Sequence, residues 1–260
     1  PCLGGRWSDF AARLAFDGEG AGLVAGATWS SDFPATAGGA VPASTDGGGF
    51  VAKLNDDLTT LIQATYIVDG SAAHTGVGGT SAKDMAVHPD GSIFVTGSTI
   101  ATNLPGVAGG LQTEPGSIFV ARYDGGLRAL IQSTYLGGWG SPGNLSNGAS
   151  AIALDGEGNV FVAGDVASKD FPGTSGGAQP VHAPDGGIAD AFVAKLTPSL
   201  RRYDATLKAV EYHHAGFDHY FVTADADEIA GLDAHVYPPY QGANWERTGQ
   251  SFDVLGQAST

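Results

Sequence analysis

The sequence predicts an all-β repeat architecture followed by a small α+β unit. Two short runs each occur three times, and an Asp-Gly turn between apolar segments accompanies them. One run starts at Phe50, Phe119 and Phe192 (FVAKL, FVARY, FVAKL), and the other starts at Leu23, Phe94 and Phe161. A fixed long period indicates units that bury their apolar faces against one another. We place the repeats in residues 1–200, as units of about 3–66, 67–135 and 136–200, and a C-terminal domain in residues 201–260.

Composition limits the class of protein and of partner. The 260 residues are enough for a real core, and an apolar content of 42% argues against disorder. Acidic residues number 27 against 12 basic ones, for a formal net charge of −15, whereas nucleic-acid binding needs a basic surface. No apolar run approaches the ~20 residues that span a bilayer. We expect no nucleic-acid partner and no membrane insertion.

Each unit begins with a strand and a tight turn. The strand covers residues 12–16, 83–87 and 150–154, and the turns that follow are Asp17-Gly18-Glu19-Gly20, Pro89-Asp90-Gly91-Ser92 and Asp155-Gly156-Glu157-Gly158. Asp-Gly between apolar runs predicts a hairpin, because glycine accepts the positive φ of a tight turn.

Three further strands complete the unit. The second is predicted to end on the glycine of the Val-Ala-Gly or Val-Thr-Gly run. The third is the FVAKL run, in which Phe50 and Ala52 lie on one face and Val51 on the other. The fourth covers residues 61–66 and 130–135. Four antiparallel strands per repeat are typical of a β-propeller blade, so we predict three four-stranded propeller-type blades.

Each unit is longer than the ~40–45 residues of an ordinary blade. The surplus lies between the second and third strands, where Asp32-Phe33-Pro34, Asn103-Leu104-Pro105 and Asp170-Phe171-Pro172 each precede a Gly-Gly pair at the same spacing. The shared spacing predicts ordered loops that pack on the blade. The loops after Tyr66 and Tyr135 share no pattern, and variable loops on one face of an array are where binding usually resides.

These motifs resemble the bacterial short β-propeller repeat family called SBBP, over about residues 1–200. Leu136-Gly137-Gly138 continues the fourth strand as in that family. Leu3-Gly4-Gly5 resembles the tail of an earlier copy, which places Cys2 where Tyr66 and Tyr135 stand later. The resemblance implies an exported bacterial protein, commonly with six or seven blades in one ring, and implies no catalytic residues.

Three blades do not close a ring of the ~4–8 blades seen in propellers. The chain opens at Pro1 in the middle of a unit, which is typical of a fragment or a processed product. Three arrangements remain open: a piece of a longer protein, a ring completed by several chains, or an open stack whose end strands pair with neighbouring subunits.

The C-terminal segment has a different pattern. Strands are predicted at 207–212, 219–223 and 250–254, with a helix that begins at Asp225, has Glu228 three residues on, and presents Ile229, Leu232 and Val236. Residues 209–254 resemble a small domain of unknown function that is common at the C-terminal end of bacterial exported proteins.

Candidate metal ligands are few. The histidine cluster consists of His213, His214, Asp218 and His219. Adjacent histidines on a strand point to opposite faces, so a turn between two strands is the preferred interpretation and no metal site is assigned. Calcium could bind Asp17 with Glu19 and Asp155 with Glu157, but the middle copy offers only Asp90, and a plain hairpin turn is favoured. The lone Cys2 excludes an intrachain disulfide.

Aromatic residues provide the remaining binding candidates. Stacking platforms for sugars could come from Trp7, Trp29, Trp139, Trp245, Tyr212, Tyr237 and Tyr240, although burial is the commoner role of such residues. There is no Gly-x-Ser-x-Gly elbow, no HExxH pair and no phosphate-binding glycine loop. We assign no catalytic residue and no cofactor, and leave the ligand-binding residues undetermined.

The sequence thus predicts a non-enzymatic extracellular bacterial scaffold or assembly protein. Its expected partners are other copies of the chain or other blades of the same protein. The alternative hypothesis is a cell-surface module that binds glycan or calcium, and a weaker one is a fragment of a propeller hydrolase or lyase.

Overall fold

A computed structural model shows an all-β chain, which confirms the predicted class. It describes residues 2–68, 79–138, 148–167, 171, 178, 189–202, 207–214, 219–223, 229, 232 and 245–254. The chain divides into two compact units, Pro1–Arg202 and Tyr203–Thr260.

The first unit contains three antiparallel sheets that follow the three repeats, and none of them is closed. The first sheet has β1 (Asp9–Phe16), β2 (Gly22–Thr28), β3 (Gly48–Leu54) and β4 (Leu61–Tyr66) in that order. The second has β5 (Ser81–Val87), β6 (Ile93–Ser98), β7 (Ile118–Tyr123) and β8 (Leu130–Leu136). The third has β9 (Gly148–Leu154), β10 (Val160–Val166) and β11 (Asp190–Leu196), and in the described residues only an isolated bridge, Leu196 to Arg202, follows them.

A glycine recurs where the second strand of each sheet passes its first strand. A Cβ on Gly26 would lie 1.9 Å from the Phe10 carbonyl oxygen, and one on Gly97 would lie 2.0 Å from that of Ser81. The second strand does not end at this glycine, so that prediction is wrong. Pairing with the third strand continues for two more residues, as far as Thr28 opposite Gly48 in the first sheet.

The hairpin turns form as predicted, and in the second copy the glycine of Asp-Gly, Gly91, has the expected positive φ of 87°. In the first and third copies a later glycine has it instead, Gly20 with φ of 89° and Gly158 with φ of 83°. All three are the fourth residue of the turn. In each turn the amide of this glycine donates to the carbonyl of the first residue, which is Asp17, His88 or Asp155. His88, and not Asp90, therefore corresponds to Asp17. In the first and third turns the aspartate of the Asp-Gly pair caps backbone amides and a later glycine is left-handed. In the second turn Asp90 caps the Ser92 amide, and Gly91 of the same pair is left-handed.

The loops between second and third strands pack on their own sheets, which confirms that prediction for the first two copies. The Tyr66 hydroxyl donates to the Ser30 carbonyl oxygen (2.8 Å) and accepts from the Phe33 amide (3.0 Å). Tyr135 makes the same two contacts with Ala101 and Leu104, both at 2.8 Å. In the third copy, the ring centroids of Phe171 and Phe192 lie 4.6 Å apart, as those of Phe33 and Phe50 lie 4.3 Å apart in the first.

The three sheets bury their faces against one another. One core cluster joins Leu23, Val51 and Ile67 of the first sheet to Met85 and Phe119 of the second. The next joins Phe94 and Val120 of the second sheet to Ile152 and Phe192 of the third. A third cluster, with Phe33, Phe50, Ala52 and Tyr66, lies on the opposite face of the first sheet, where Leu3 packs on it. Val51 and its neighbours Phe50 and Ala52 thus lie on opposite faces, as predicted.

The second unit contains one antiparallel sheet in the order β13-β12-β14, formed by β12 (Leu207–His214), β13 (His219–Thr223) and β14 (Trp245–Val254). β13 has the predicted bounds, whereas β12 continues past the predicted end to His214 and β14 begins before the predicted start, at Trp245. Ile229 and Leu232 are helical, and Asp225, Glu228 and Val236 lie outside the described residues. Within the described part of the chain, no helix is long and apolar enough to cross a membrane.

Candidate functional site

The recurrent chemistry of this chain lies in the contacts between neighbouring sheets. The basic residue of each third strand forms an ion pair with the turn of its own sheet. Lys53 Nζ lies 2.8 Å from Asp17 Oδ2, Arg122 Nη2 lies 2.5 Å from Asp90 Oδ2, and Lys195 Nζ lies 3.2 Å from Asp155 Oδ2. Each pair joins the third strand to the turn between the first and second strands.

The same basic side chains also reach the following sheet. Lys53 Nζ donates to the Gly125 carbonyl oxygen at 3.0 Å, and Arg122 Nη1 donates to that of Pro198 at 3.2 Å. Gly125 and Pro198 occupy the same position of the turn that follows the third strand. One side chain thus ties the hairpin turn of its own sheet to the next sheet along the chain.

The turn carboxylates are held in the ionised form. Burial raises the pKa of Asp17, but hydrogen bonds from Lys53 and from the Ala21 and Glu19 amides outweigh this and leave the pKa below its ordinary value. A hydrogen bond from the Asn159 side chain is the main cause that lowers the pKa of Asp155 to about 2. Both side chains therefore carry full negative charge at neutral pH and pair with the cations of the third strands.

A leucine with left-handed backbone conformation marks the turn after each third strand. Leu58, Leu127 and Leu200 have φ of 59°, 58° and 58°, a conformation that costs about 1–3 kcal/mol for such a residue. Leu127 and Leu200 are fully buried in the clusters between sheets. Their carbonyl oxygens accept hydrogen bonds from the preceding sheet, from Ala40 N at 3.0 Å and Leu111 N at 2.9 Å. Contact with the preceding sheet therefore holds each of these two leucines in place.

These leucines were not identified from the sequence, although a signal for them exists. Each lies four residues beyond the last residue of its third strand, at the same spacing in all three copies. A leucine in a polar turn segment is unusual, since turn segments are normally rich in Gly, Asn, Asp and Ser. Because its other residues are mainly polar or glycine, each turn segment looks like an exposed turn and does not indicate a contact between sheets.

Asp84 connects the first strands of all three sheets. Arg13 Nε of the first sheet lies 2.8 Å from Asp84 Oδ1, and the Ile152 amide of the third sheet donates to Asp84 Oδ2 at 2.9 Å. Asp84 is itself buried. A buried carboxylate with a charged partner and a backbone donor is well satisfied, and here it also fixes the spacing of the sheets.

The first sheet leaves open part of the face that the other two sheets cover. Strand pairing makes Leu14 of β1 equivalent to Met85 of β5 and to Ile152 of β9. Met85 is 2% exposed and Ile152 6% exposed because each packs on the preceding sheet, whereas Leu14 is 53% exposed. Phe16 is also exposed and Leu58 is half-buried. We call Leu14, Phe16 and Leu58 the leading face.

The third sheet leaves its opposite face open. Val193 corresponds to Val51 and Val120, which are completely buried against the following sheet, but Val193 is 73% exposed. Phe161 and Ala163 of β10 are half-buried, whereas Leu23 and Phe94, the equivalents of Phe161, are fully buried. We call Phe161, Ala163 and Val193 the trailing face. At the two ends of the stack, apolar residues are thus exposed whose equivalents inside the molecule are buried against a neighbouring sheet.

The candidate calcium ligands are engaged in the turns. Asp17 Oδ1 accepts from the Glu19 and Ala21 amides at 3.0 and 2.9 Å, and Asp155 Oδ1 accepts from the Glu157 and Asn159 amides at 3.0 and 2.8 Å. The other oxygen of each carboxylate faces a lysine ammonium. Asp90 similarly accepts from the Ser92 amide and pairs with Arg122. The carboxylates thus accept hydrogen bonds from the turn amides, as expected for plain hairpin turns.

The histidine cluster lies in the sheet of the second unit. His213 pairs in register with Tyr220 and Glu246, and His214 pairs with His219 and Trp245. An open depression there is lined by Glu211, His213, Glu246, Arg247, Thr248 and Gln250. Asp218 lies outside the described residues. The described part of the chain contains no group of three or more His, Cys, Asp or Glu side chains placed to hold a metal ion.

The aromatic candidates divide into exposed and buried residues. Trp7 and Trp29 are exposed, and the Trp29 ring meets that of Phe10 edge-on at 5.9 Å. Tyr212 is buried, and its hydroxyl donates to the Ile229 carbonyl oxygen at 3.3 Å. Trp245 lies in β14, while Trp139, Tyr237 and Tyr240 lie outside the described residues. Cys2 is an exposed free thiol.

No protein-family model matches the chain, and no curated protein matches it. The repeated contacts between sheets and the open faces at both ends of the stack are therefore the observations from which a function can be inferred.

Proposed function

We propose that this chain is a non-enzymatic, extracellular bacterial scaffold whose end sheets associate with further sheets of the same repeat type. One observation carries the proposal: apolar residues at the two ends are exposed, although their equivalents inside the molecule are buried against a neighbouring sheet. Leu14 is exposed where its equivalent Met85 is buried, and Val193 is exposed where Val120 is buried. Apolar residues exposed together on a sheet face favour association, because burial of apolar surface is the main driving force for it.

We infer further that the three sheets are propeller-type blades of the SBBP kind and that residues 201–260 form a small α+β unit. Support comes from the repeated motifs and from two contacts that recur at both interfaces between sheets. One is the hydrogen bond from the basic side chain of the third strand to the next sheet, and the other is the hydrogen bond to the carbonyl oxygen of the buried leucine. The helical conformation of Ile229 and Leu232 beside the sheet strands supports the α+β assignment. The extracellular location and the absence of catalysis rest on the resemblance and on the lack of a catalytic motif in the sequence.

The mass of the chain in solution tests this proposal. Light scattering after size exclusion is expected to give an integral multiple of 26.2 kDa that increases with protein concentration. Hydrogen exchange of β1 and β11 amides should slow in the associated form, since both strands would then be covered. A mass of one chain at all concentrations up to the millimolar range would overturn the proposal.

A second candidate function is glycan binding at the exposed aromatic group of Trp7, Phe10 and Trp29. Aromatic rings offer large apolar faces for stacking, and Asp9 and Asp32 accept hydrogen bonds from the Gly5 and Arg6 amides next to this group. Titration with oligosaccharides should shift the tryptophan fluorescence of the native chain and of Ile131→Ala, but not of Trp29→Ala. Equal responses of both variants would eliminate this site.

A further inference from the structure

We propose that association is head-to-tail: the trailing face of one copy docks on the leading face of a second copy, in the geometry of the interfaces inside the chain. This inference rests on the proposed function and adds the partner and the mode of contact. The partner is a second copy of this chain, because one copy presents both halves of an interface that it already forms twice.

The internal interfaces specify three contacts for the docked pair. Val193 of one copy would pack near Leu14 and Phe16 of the other, as Val51 lies in one cluster with Met85. Lys195 would donate to the carbonyl oxygen of Asp56, the position of Gly125 and Pro198 in the later turns. The Ala178 amide would donate to the carbonyl of Leu58, as Ala40 and Leu111 donate to the buried leucines.

The strained backbone conformation of Leu58 is explained if a second copy contacts it. Leu58 has the same left-handed backbone conformation as Leu127 and Leu200, but it is only half-buried in the single chain. Strained residues persist where surrounding contacts hold them. Docking of a second copy would complete those contacts by covering Leu58, as the two internal interfaces cover its equivalents.

Charge favours the same pairing. The turn of the leading face carries Asp56 and Asp57, where the second turn carries Gly125 and Gly126 and the third carries Pro198 and Ser199. At these two positions the exposed turn alone is acidic among the three turns, and docking would bring it to the ammonium group of Lys195. In a chain with a net charge of −15, a local opposite-charge contact offsets the general repulsion between copies.

Leu3 leaves room for this contact. It packs on the first sheet as Ile67 packs in the cluster between the first and second sheets. Leu14 and Phe16, which belong to the leading face, remain exposed. Two copies docked at both ends would contain six sheets, a number within the ~4–8 of closed propellers, so we expect a dimer.

A mixing experiment tests this mode of association. Leu14→Asp impairs only the leading face and Val193→Asp only the trailing face, and both residues are exposed, so each variant should fold, as circular dichroism would verify. Each variant alone should associate ~30-fold or more weakly than the native chain, because a carboxylate is buried at every interface. An equimolar mixture should form heterodimers, since the intact leading face of Val193→Asp meets the intact trailing face of Leu14→Asp.

The control is Ile131→Asp, which changes a side chain about as exposed as Leu14, on the edge strand of the second sheet, and should associate like the native chain. If the native chain associates but one variant remains fully dimeric alone, or the mixture does not recover, the contact is symmetric and the head-to-tail inference is wrong while the proposed function stands. If the native chain is monomeric, both are wrong.

Discussion

The hydroxyl group of Tyr66 accepts a hydrogen bond of 3.0 Å from the amide of Phe33, a residue 33 positions earlier in the chain. The same hydroxyl donates to Ser30. One buried side chain at the end of the fourth strand thus satisfies both ends of the turn that opens the long loop. Tyr135 repeats the arrangement in the second sheet, so the contact belongs to the repeat itself.

Removal of the hydroxyl group in Tyr66→Phe should destabilise the first unit. The change leaves the Phe33 amide and the Ser30 carbonyl buried without this partner, which costs about 1–3 kcal/mol. Urea denaturation followed by circular dichroism measures the loss. Tyr123→Phe is the matched control, because the Tyr123 hydroxyl is buried without a hydrogen-bond partner among the described residues. That variant should be as stable as the native chain or more stable, and equal losses in the two would contradict our account.

Substitution of the recurrent glycine should be far more costly than that of a turn glycine. In Gly97→Ala the new methyl group would lie 2.0 Å from the Ser81 carbonyl oxygen, so the paired strands must separate. We expect a loss of about 1–3 kcal/mol or more in the free energy of unfolding. Gly18→Ala provides the control, because its Cβ would meet nothing within 4 Å. Comparable thermal midpoints for the two variants would show that the close approach does not constrain the sheet.

Asp84→Ala should weaken the packing of all three sheets together. It removes the partner of Arg13 and of the buried Ile152 amide, and the loss of a charge-assisted network of this kind costs about 1.5–3 kcal/mol. Amide hydrogen exchange should then accelerate in β1 and β9 as well as in β5. Acceleration confined to β5 would mean that Asp84 acts only within its own sheet.

Acid should abolish the contribution of the Asp155 turn. The folded pKa of Asp155 is about 2, below the ordinary value of 3.8, so its carboxylate stabilises the fold fully above pH 3.8 and progressively less as the pH falls to about 2. The stability difference between Asp155→Asn and the native chain should therefore be largest at neutral pH and decrease steadily from pH 3.8 to about 2. Urea midpoints measured from pH 2 to 7 provide the check, and a constant difference across that range would refute the assignment.

The strands were predictable because their signals are local. Alternation in the FVAKL run placed Val51 and Phe50 on opposite faces, and pairs of apolar runs around Asp-Gly located the hairpins. The dipeptide locates the left-handed residue only in the second copy, at Gly91. In the first copy the turn has four residues, and only the backbone hydrogen bonds identify Gly20, and not Gly18, as the residue that closes it.

The candidate site was only partly predictable. Lys53 was recognised as part of a repeated strand, yet its contact with Gly125 joins residues 72 positions apart, and no local pattern encodes such a pair. The role of Leu127 and Leu200 depends on the sheet that packs on them, so no local pattern predicts it. Exposure at Leu14 and Val193 likewise follows from their place at the ends of the stack, since their equivalents have the same residue class and are buried.

By itself the sequence determined the all-β class, the presence of three repeats and the location of the strands within a few residues, because hydrophobic alternation and turn residues act over a few neighbouring positions. Only the tertiary structure decided which faces are covered, which basic group reaches the next sheet and which leucine adopts the left-handed conformation. Those features depend on the packing of sheets some 70 residues apart, where burial and inter-sheet hydrogen bonds outweigh local conformational preference.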